Sequence, residues 1–308
     1  MSIILTYLRG YALVIDKALL FLCTAWMSIL IALNYRLGIE QGLIKALDSR
    51  FDQWVALFLV YCSAFIVPYI FVIVFRRQQI TTPPMFWLLL LIAPVLFAFK
   101  VSVANPLENE INGIWGAYLI SVTTLPFKCL VVLILLIVIY KLLPAQPSFW
   151  GFTFQGVEWR TYGWMLVLMM PLILFASTQA DFLNAYPRLK QIAFIESHTN
   201  NPLWYQLLYE ISYGVDFITI ELFFRGFLVF AFARYVGAAA ILPMATFYCS
   251  IHFGKPLFEC VSSLFGGLVL GVIASRTQSI VGGLTVHLGI AWMMELGGHF
   301  GNLWTRQM

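Results

Sequence analysis

Residues 215–237 read VDFITIELFFRGFLVFAFARYVG, an apolar run that carries Asp216, Glu221 and Arg225 near its middle. A run of this length and apolarity is long enough to cross a bilayer as a helix. At mid-depth each charged side chain costs about 2.5 to 3.5 kcal/mol on insertion scales, so such groups face a partner or a wet cavity. The remainder of the chain has to supply that partner.

Working outward, the whole sequence has the same character. Of 308 residues, 61% are hydrophobic and only 10% are charged, against roughly 25% charged in average soluble domains. The bilayer is therefore the main apolar environment of this chain, and nucleic acid is excluded as a partner by a formal charge of only +4. Apolar stretches of spanning length lie near 18–34, 54–75, 85–103, 123–143, 162–178, 212–235, 238–253, 260–275 and 280–297. They predict an all-α, polytopic transmembrane helical bundle of about eight or nine spans. Residues 1–160 form an N-terminal set of helices, and residues 161–308 form the part that carries the buried polar groups.

Basic residues cluster at segment ends. Arg76-Arg77 and the Lys141–Arg160 segment are basic, whereas ANPLENEING (104–113) has acids and no Lys or Arg, which places the basic loops in the cytoplasm. The N-terminus lacks the charged region, short apolar region and cleavage site of a signal peptide, and reads as the lead-in to a first span. Cys23, Cys62, Cys129, Cys249 and Cys260 fall in or beside apolar runs without a CxxC pair, as small hydrophobes do. Asn201-Pro202 is a good helix start, with Pro at the first helical position. Trp204, Tyr205 and Tyr209 then read as interfacial anchors.

Glu221 and Arg225 are spaced i, i+4 and can pair on one helix face. Asp216 lies one turn before Ile220. Downstream, YCSIHFGKPLFECVSSLFGGLVLGV (248–272) brings His252 at the end of an apolar run, then Lys255 and Glu259 across a turn. Gly267 and Gly271 form a small-xxx-small pair suited to close helix packing. In SIVGGLTVHLGIAWMMELGGHF (279–300), His287, Ala291 and Glu295 recur every four residues, so His287 and Glu295 share a face. His299 continues the series toward the interface.

One ion pair can be structural glue. A carboxylate and two histidines on three helices are harder to assign to packing, because each buried polar group needs a partner or water. A carboxylate and a histidine can hold and deprotonate a water, and a second histidine can stabilise the oxyanion formed on an amide. Hydrolysis inside the membrane is the reading this pattern supports.

The order of these motifs resembles the CPBP family (CAAX proteases and bacteriocin-processing enzymes, also called Abi), glutamic-type intramembrane peptidases. The family pattern EExxxR, FxxxH and HxxxN/D corresponds here to Ile220–Arg225, Tyr248–His252 and His287–Ala291. The resemblance spans about Asn201–Gly298 and makes 161–308 a CPBP-like core. It implies that Glu221, His252 and His287 are catalytic, with Arg225 supporting; Asp216, Glu259 and Glu295, outside the motif positions, read from their spacing as further supporting groups. The resemblance also implies a membrane-embedded or lipid-proximal protein or peptide as substrate, and a multi-pass protein of the bacterial inner membrane.

Ile220 stands where the family has an acid, and Ala291 where it has Asn or Asp. Asp216 and Glu295, each four residues from its gap, are the substitutes within reach. The alternative is a non-catalytic relative that binds or chaperones a membrane segment. A proton-coupled transporter is a third reading, since intramembrane acids and histidines also build relays, but the sequence has no internal repeat to support it. No cofactor is expected, and no metal, because there is no HExxH and the Glu/His spacing is unpatterned for zinc.

Overall fold

The computed structural model describes residues 2–76, 80, 82–144 and 148–305; Arg77, of the basic pair, lies outside them. It is a polytopic bundle of α-helices, with no strand among the described residues. In chain order the helices are α1 (Ser2–Val14), α2 (Lys17–Leu37), α3 (Arg50–Arg76), α4 (Pro84–Ser102), α5 (Gly113–Leu142) and α6 (Trp159–Ala176). They continue as α7 (Ala180–Ala185), α8 (Pro202–Glu221), α9 (Phe230–Val236), α10 (Ile241–Ser250), α11 (Leu257–Thr277) and α12 (Val281–Thr305). A π-helical segment, Leu222–Val229, joins α8 to α9 without a break.

Among the described residues, seven segments are long and apolar enough to cross a membrane, and the chain is a multi-pass membrane protein. The difference from eight or nine has two causes. Residues 202–250 form one apolar run rather than two. And α12, diluted by glycines, His287, Glu295 and His299, does not reach the same apolarity. Pro68, Pro94, Pro126 and Pro171 lie inside helices, where membrane proteins tolerate them because neighbouring groups satisfy the freed carbonyls.

Two compact units are built from interleaved stretches of chain. The first comprises residues 1–102, 144–157 and 221–283. Its core is aromatic: Phe65 and Tyr69 of α3, Phe86 and Phe97 of α4, Phe223 and Phe227 of the π segment, and Phe247 of α10 are almost wholly buried. Many of these rings meet edge to face, as Phe65 does with Tyr69 at 5.0 Å between centroids, an arrangement worth about 0.5–1.5 kcal/mol per pair beyond burial. Small residues set helix spacing. A side-chain carbon added at Gly267 of α11 would lie 3.0 Å from the Tyr248 ring, and one at Gly271 would lie 2.5 Å from the Met244 methyl. The close packing expected of this glycine pair is thus the packing of α11 on α10.

The second unit comprises residues 103–143, 158–220 and 284–308. Tyr118 and Val122 of α5 pack with Ile192, Ile195 and Tyr209. Ser212 donates a 2.6 Å hydrogen bond to the Val122 carbonyl, linking α8 to α5. Helix α8 begins at Pro202, as the Pro signal predicts. Of the three expected anchors, Trp204 is exposed, but Tyr209 is a core residue whose hydroxyl donates to Gln191 Oε1 at 3.1 Å. A tyrosine with a polar partner inside the fold has no need of the interface.

Candidate active site

The first unit places Glu221 at the end of α8 and Arg225 in the π segment, both fully buried, with Nη1 of Arg225 3.1 Å from Oε1 of Glu221. A π turn holds i→i+5 rather than i→i+4 bonds and is frequently found at functional sites. Here it is closely packed. Gly226 accepts the backbone of Trp150 so closely that an added side-chain carbon would lie 2.6 Å from the Trp150 carbonyl oxygen. Trp150, itself fully buried, stacks edge-on against Phe227 at 5.3 Å. The segment 148–157 thereby wedges the π turn from outside the helix.

The other face of Arg225 lies on Tyr248 of α10, its guanidinium carbon 4.0 Å from the ring centroid. A desolvated cation over an aromatic ring gains about 2 kcal/mol. The guanidinium is thus held by a carboxylate on one side and a π face on the other. Tyr248 in turn orients His252, whose Nδ1 is 2.9 Å from the Tyr248 carbonyl oxygen and whose ring packs edge-on to the tyrosine at 4.8 Å. A carbonyl only accepts, so Nδ1 carries a proton. Glu221, Arg225, Tyr248 and His252 form one contiguous chain of contacts.

Gly283, in the first turn of α12, is set against the carboxylate: a side-chain carbon there would lie 3.0 Å from Oε2 of Glu221. The positive end of the α12 dipole favours an anion at this position. Beyond His252, Lys255 and Glu259 pair at 3.7 Å across the turn into α11.

The second unit holds the other sequence-derived residues. His287 of α12 packs edge-on to Phe217 of α8 at 4.7 Å between ring centroids. Both oxygens of Glu295 accept backbone hydrogen bonds, from the N–H of Arg188 at 2.8 Å and of Leu189 at 3.1 Å. Glu295 therefore secures the start of the Arg188–His198 3₁₀ segment. Asp216 is partly buried on α8, and His299 is exposed. Ile220 and Ala291, at the two departures from the family pattern, are buried. Among the described residues, no three His, Cys, Asp or Glu side chains come together as a metal-ligand set.

Two features were not visible in the sequence. Tyr248 stands in the sequence only as the first residue of the FxxxH match, whereas in the fold it carries both Arg225 and His252. The resemblance begins only near Asn201, yet Asn34, Tyr35, Glu40 and Gln41 all reach the loop after His252. Asn34, a lone amide inside an apolar span, was the available signal.

Residues 199–293 match the family model described as Type II CAAX prenyl endopeptidase Rce1-like. No curated protein and no solved structure matches the chain. The matched segment contains Glu221, Arg225, His252 and His287, so the resemblance to the CPBP family holds over the core that the motifs delimit. The match covers 95 of the 308 residues, and over that segment the chain is similar to CAAX-protease-like membrane endopeptidases.

Proposed function

We propose, from the Rce1-like match over residues 199–293, that the chain is an intramembrane endopeptidase acting on a membrane-embedded or lipid-proximal protein or peptide, with its chemistry in residues 161–308. Glu221 and His252 hold the attacking water. As the amide carbonyl is attacked, the water proton passes to this Glu/His pair and then to the leaving amine. His287, assigned from the order of the sequence motifs, is the donor to the tetrahedral oxyanion. Asp216 supplies further negative charge in place of the acid absent at Ile220, and Glu259 keeps Lys255 neutralised. Glu295 supports the His287 helix through the two backbone bonds it accepts. The bacterial inner membrane is the proposed location.

The observation that carries this reading is the contact chain Glu221–Arg225–Tyr248–His252, in which the Nδ1–H···O bond to the Tyr248 carbonyl sets the orientation of the histidine ring. A buried ion pair serving only as glue needs no histidine oriented beside it.

The test is a profile of protein termini in membranes, native against Glu221→Gln. The glutamine is isosteric but cannot accept a proton, and general acid–base assistance is worth about 10² to 10⁴ in rate. Termini that vanish in the variant identify the substrate and establish proteolysis. Termini that persist unchanged, with the variant stably expressed, favour the second reading, a non-catalytic relative that binds a membrane segment. The observation behind that alternative is specific: two positions polar in the family pattern are the buried apolar residues Ile220 and Ala291.

A further inference from the structure

The residues that grip the loop after His252 come from α2 and the turn that follows it, outside the family-matched segment. Gly38, in the left-handed conformation at φ 62°, ends α2 and turns the chain into the short π segment Ile39–Ile44. That return brings four side chains onto residues 253–255. Asn34, almost wholly buried, donates through Nδ2 to the Phe253 carbonyl at 3.0 Å and accepts the Glu40 N–H at 3.1 Å. The Tyr35 hydroxyl donates to the Lys255 carbonyl at 2.6 Å, and Gln41 donates to the Gly254 carbonyl. The Glu40 carboxylate accepts the Gly254 N–H. It lies so near that a side-chain carbon at Gly254 would be 2.5 Å from its Oε1.

The backbone carbonyls of three consecutive residues after His252 are thus each held by a side chain of the N-terminal helices. We infer that Glu40, together with Asn34 and Tyr35, positions the His252 loop for water activation, so that the N-terminal helices form part of the catalytic apparatus. The inference rests on the proposed peptidase reading for its catalytic consequence, but its structural content is independent of it.

Glu40 is the member of this clamp suited to respond near neutral pH. Burial pushes its carboxyl up to about 7, opposed by Lys45, by Lys255 and by the Gly254 N–H. The other titratable groups facing it or its partners are Tyr61 from α3, Tyr35 from α2, and Glu259 from α11, which pairs with Lys255. Above neutrality the ionised carboxylate grips Gly254 and faces two lysines. Below it, the neutral acid keeps only a weaker hydrogen bond.

The experiment measures carbethoxylation of His252 by diethyl pyrocarbonate, read by peptide mass spectrometry on the full chain in detergent. Dividing the Glu40→Gln rate by the native rate at each pH removes the titration of His252 itself. The expected ratio is several-fold above one at about pH 8 and returns to one at about pH 6, where native Glu40 is protonated. Tyr35→Phe, which removes one hydroxyl, is expected to raise labelling by the same factor at both pH values. His287 and His299 serve as internal references. A Glu40→Gln ratio of one throughout overturns the inference, as does a ratio that does not change with pH.

Cleavage in isolated membranes supplies the second arm. Termini that depend on Glu221 are expected to form several-fold more slowly in Glu40→Gln at about pH 8, without loss of thermal stability. A residue of purely structural importance would lose stability and cleavage together, and that result also overturns the inference. If Glu221→Gln leaves every terminus in place, the peptidase reading fails, and the labelling ratio still decides the clamp.

Discussion

Arg225 is the residue on which the buried polar chain turns. Its guanidinium meets Glu221 at 3.1 Å and the Tyr248 ring at 4.0 Å, with no exposed surface. Removing one partner of a buried ion pair leaves the other as an uncompensated charge, which costs about 3–5 kcal/mol. Arg225→Ala is therefore expected to lower the melting temperature in detergent sharply. Arg225→Lys should recover only part of the loss, because an ammonium cannot stack as a planar guanidinium does. Tyr248→Phe keeps the π face and the backbone carbonyl that orients His252 but removes the hydroxyl that bonds Arg225, so it should cost about 1.5–3 kcal/mol of stability. Tyr248→Ala removes the cation–π contact and is expected to cost about 2 kcal/mol from that term alone. Equal melting temperatures for the Phe and Ala variants would show that the ring contributes nothing.

At the scale of elements, glycines decide how closely the helices meet. Gly226 lies against the Trp150 carbonyl, Gly271 against Met244, and Gly283 against Glu221. The three make different predictions because different atoms would have to move. Gly271→Ala meets the end of a flexible methionine, which can swing aside, so its effect should be small. Gly226→Ala meets backbone at 2.6 Å, and overpacking of that kind typically costs about 1–3 kcal/mol. Gly283→Ala presses on the carboxylate oxygen that Arg225 does not hold. It is expected to reduce cleavage more than it reduces the melting temperature. Proportionate losses in both would place Gly283 with packing rather than with the site. The spans themselves were legible in the sequence, since a run of apolar residues reports its own length. The π turn was not. It lies where the wedge of residues 148–157 meets Gly226, a contact between segments some seventy-five positions apart.

For the molecule as a whole, Glu40 sets a pH dependence of stability whose sign follows from linkage. Its carboxyl titrates near 4.5 when exposed and near 7 in the fold. Between those values the native state binds more protons than the unfolded state, so the contribution of Glu40 to stability falls as pH rises. Below the window the contribution is fully present; above it, the loss is complete. Glu40→Gln removes this term. The variant's melting temperature relative to native should therefore rise between about pH 5 and about pH 8. A difference that stays constant over that range would mean that Glu40 ionises as an exposed acid does. Paired with slower cleavage, the expected gain describes a group kept for function at a cost in stability, as is common at active sites.

The sequence by itself determined that this is an all-helical, multi-pass membrane chain, because the requirement for long apolar runs is local and each run displays it. It also determined which residues carry the buried charge and histidines, and the family resemblance that the Rce1-like match over 199–293 supports. Only the tertiary structure decided what those residues touch. The stacking of Arg225 on Tyr248, the orientation of His252, the bonding of both Glu295 oxygens to Arg188 and Leu189, and the grip of Asn34 and Glu40 on the His252 loop are contacts between distant segments. The physical reason is that apolarity and helical period act over a few residues. A hydrogen bond joining positions 219 residues apart, as that from Asn34 to Phe253 does, is fixed by how the helices pack.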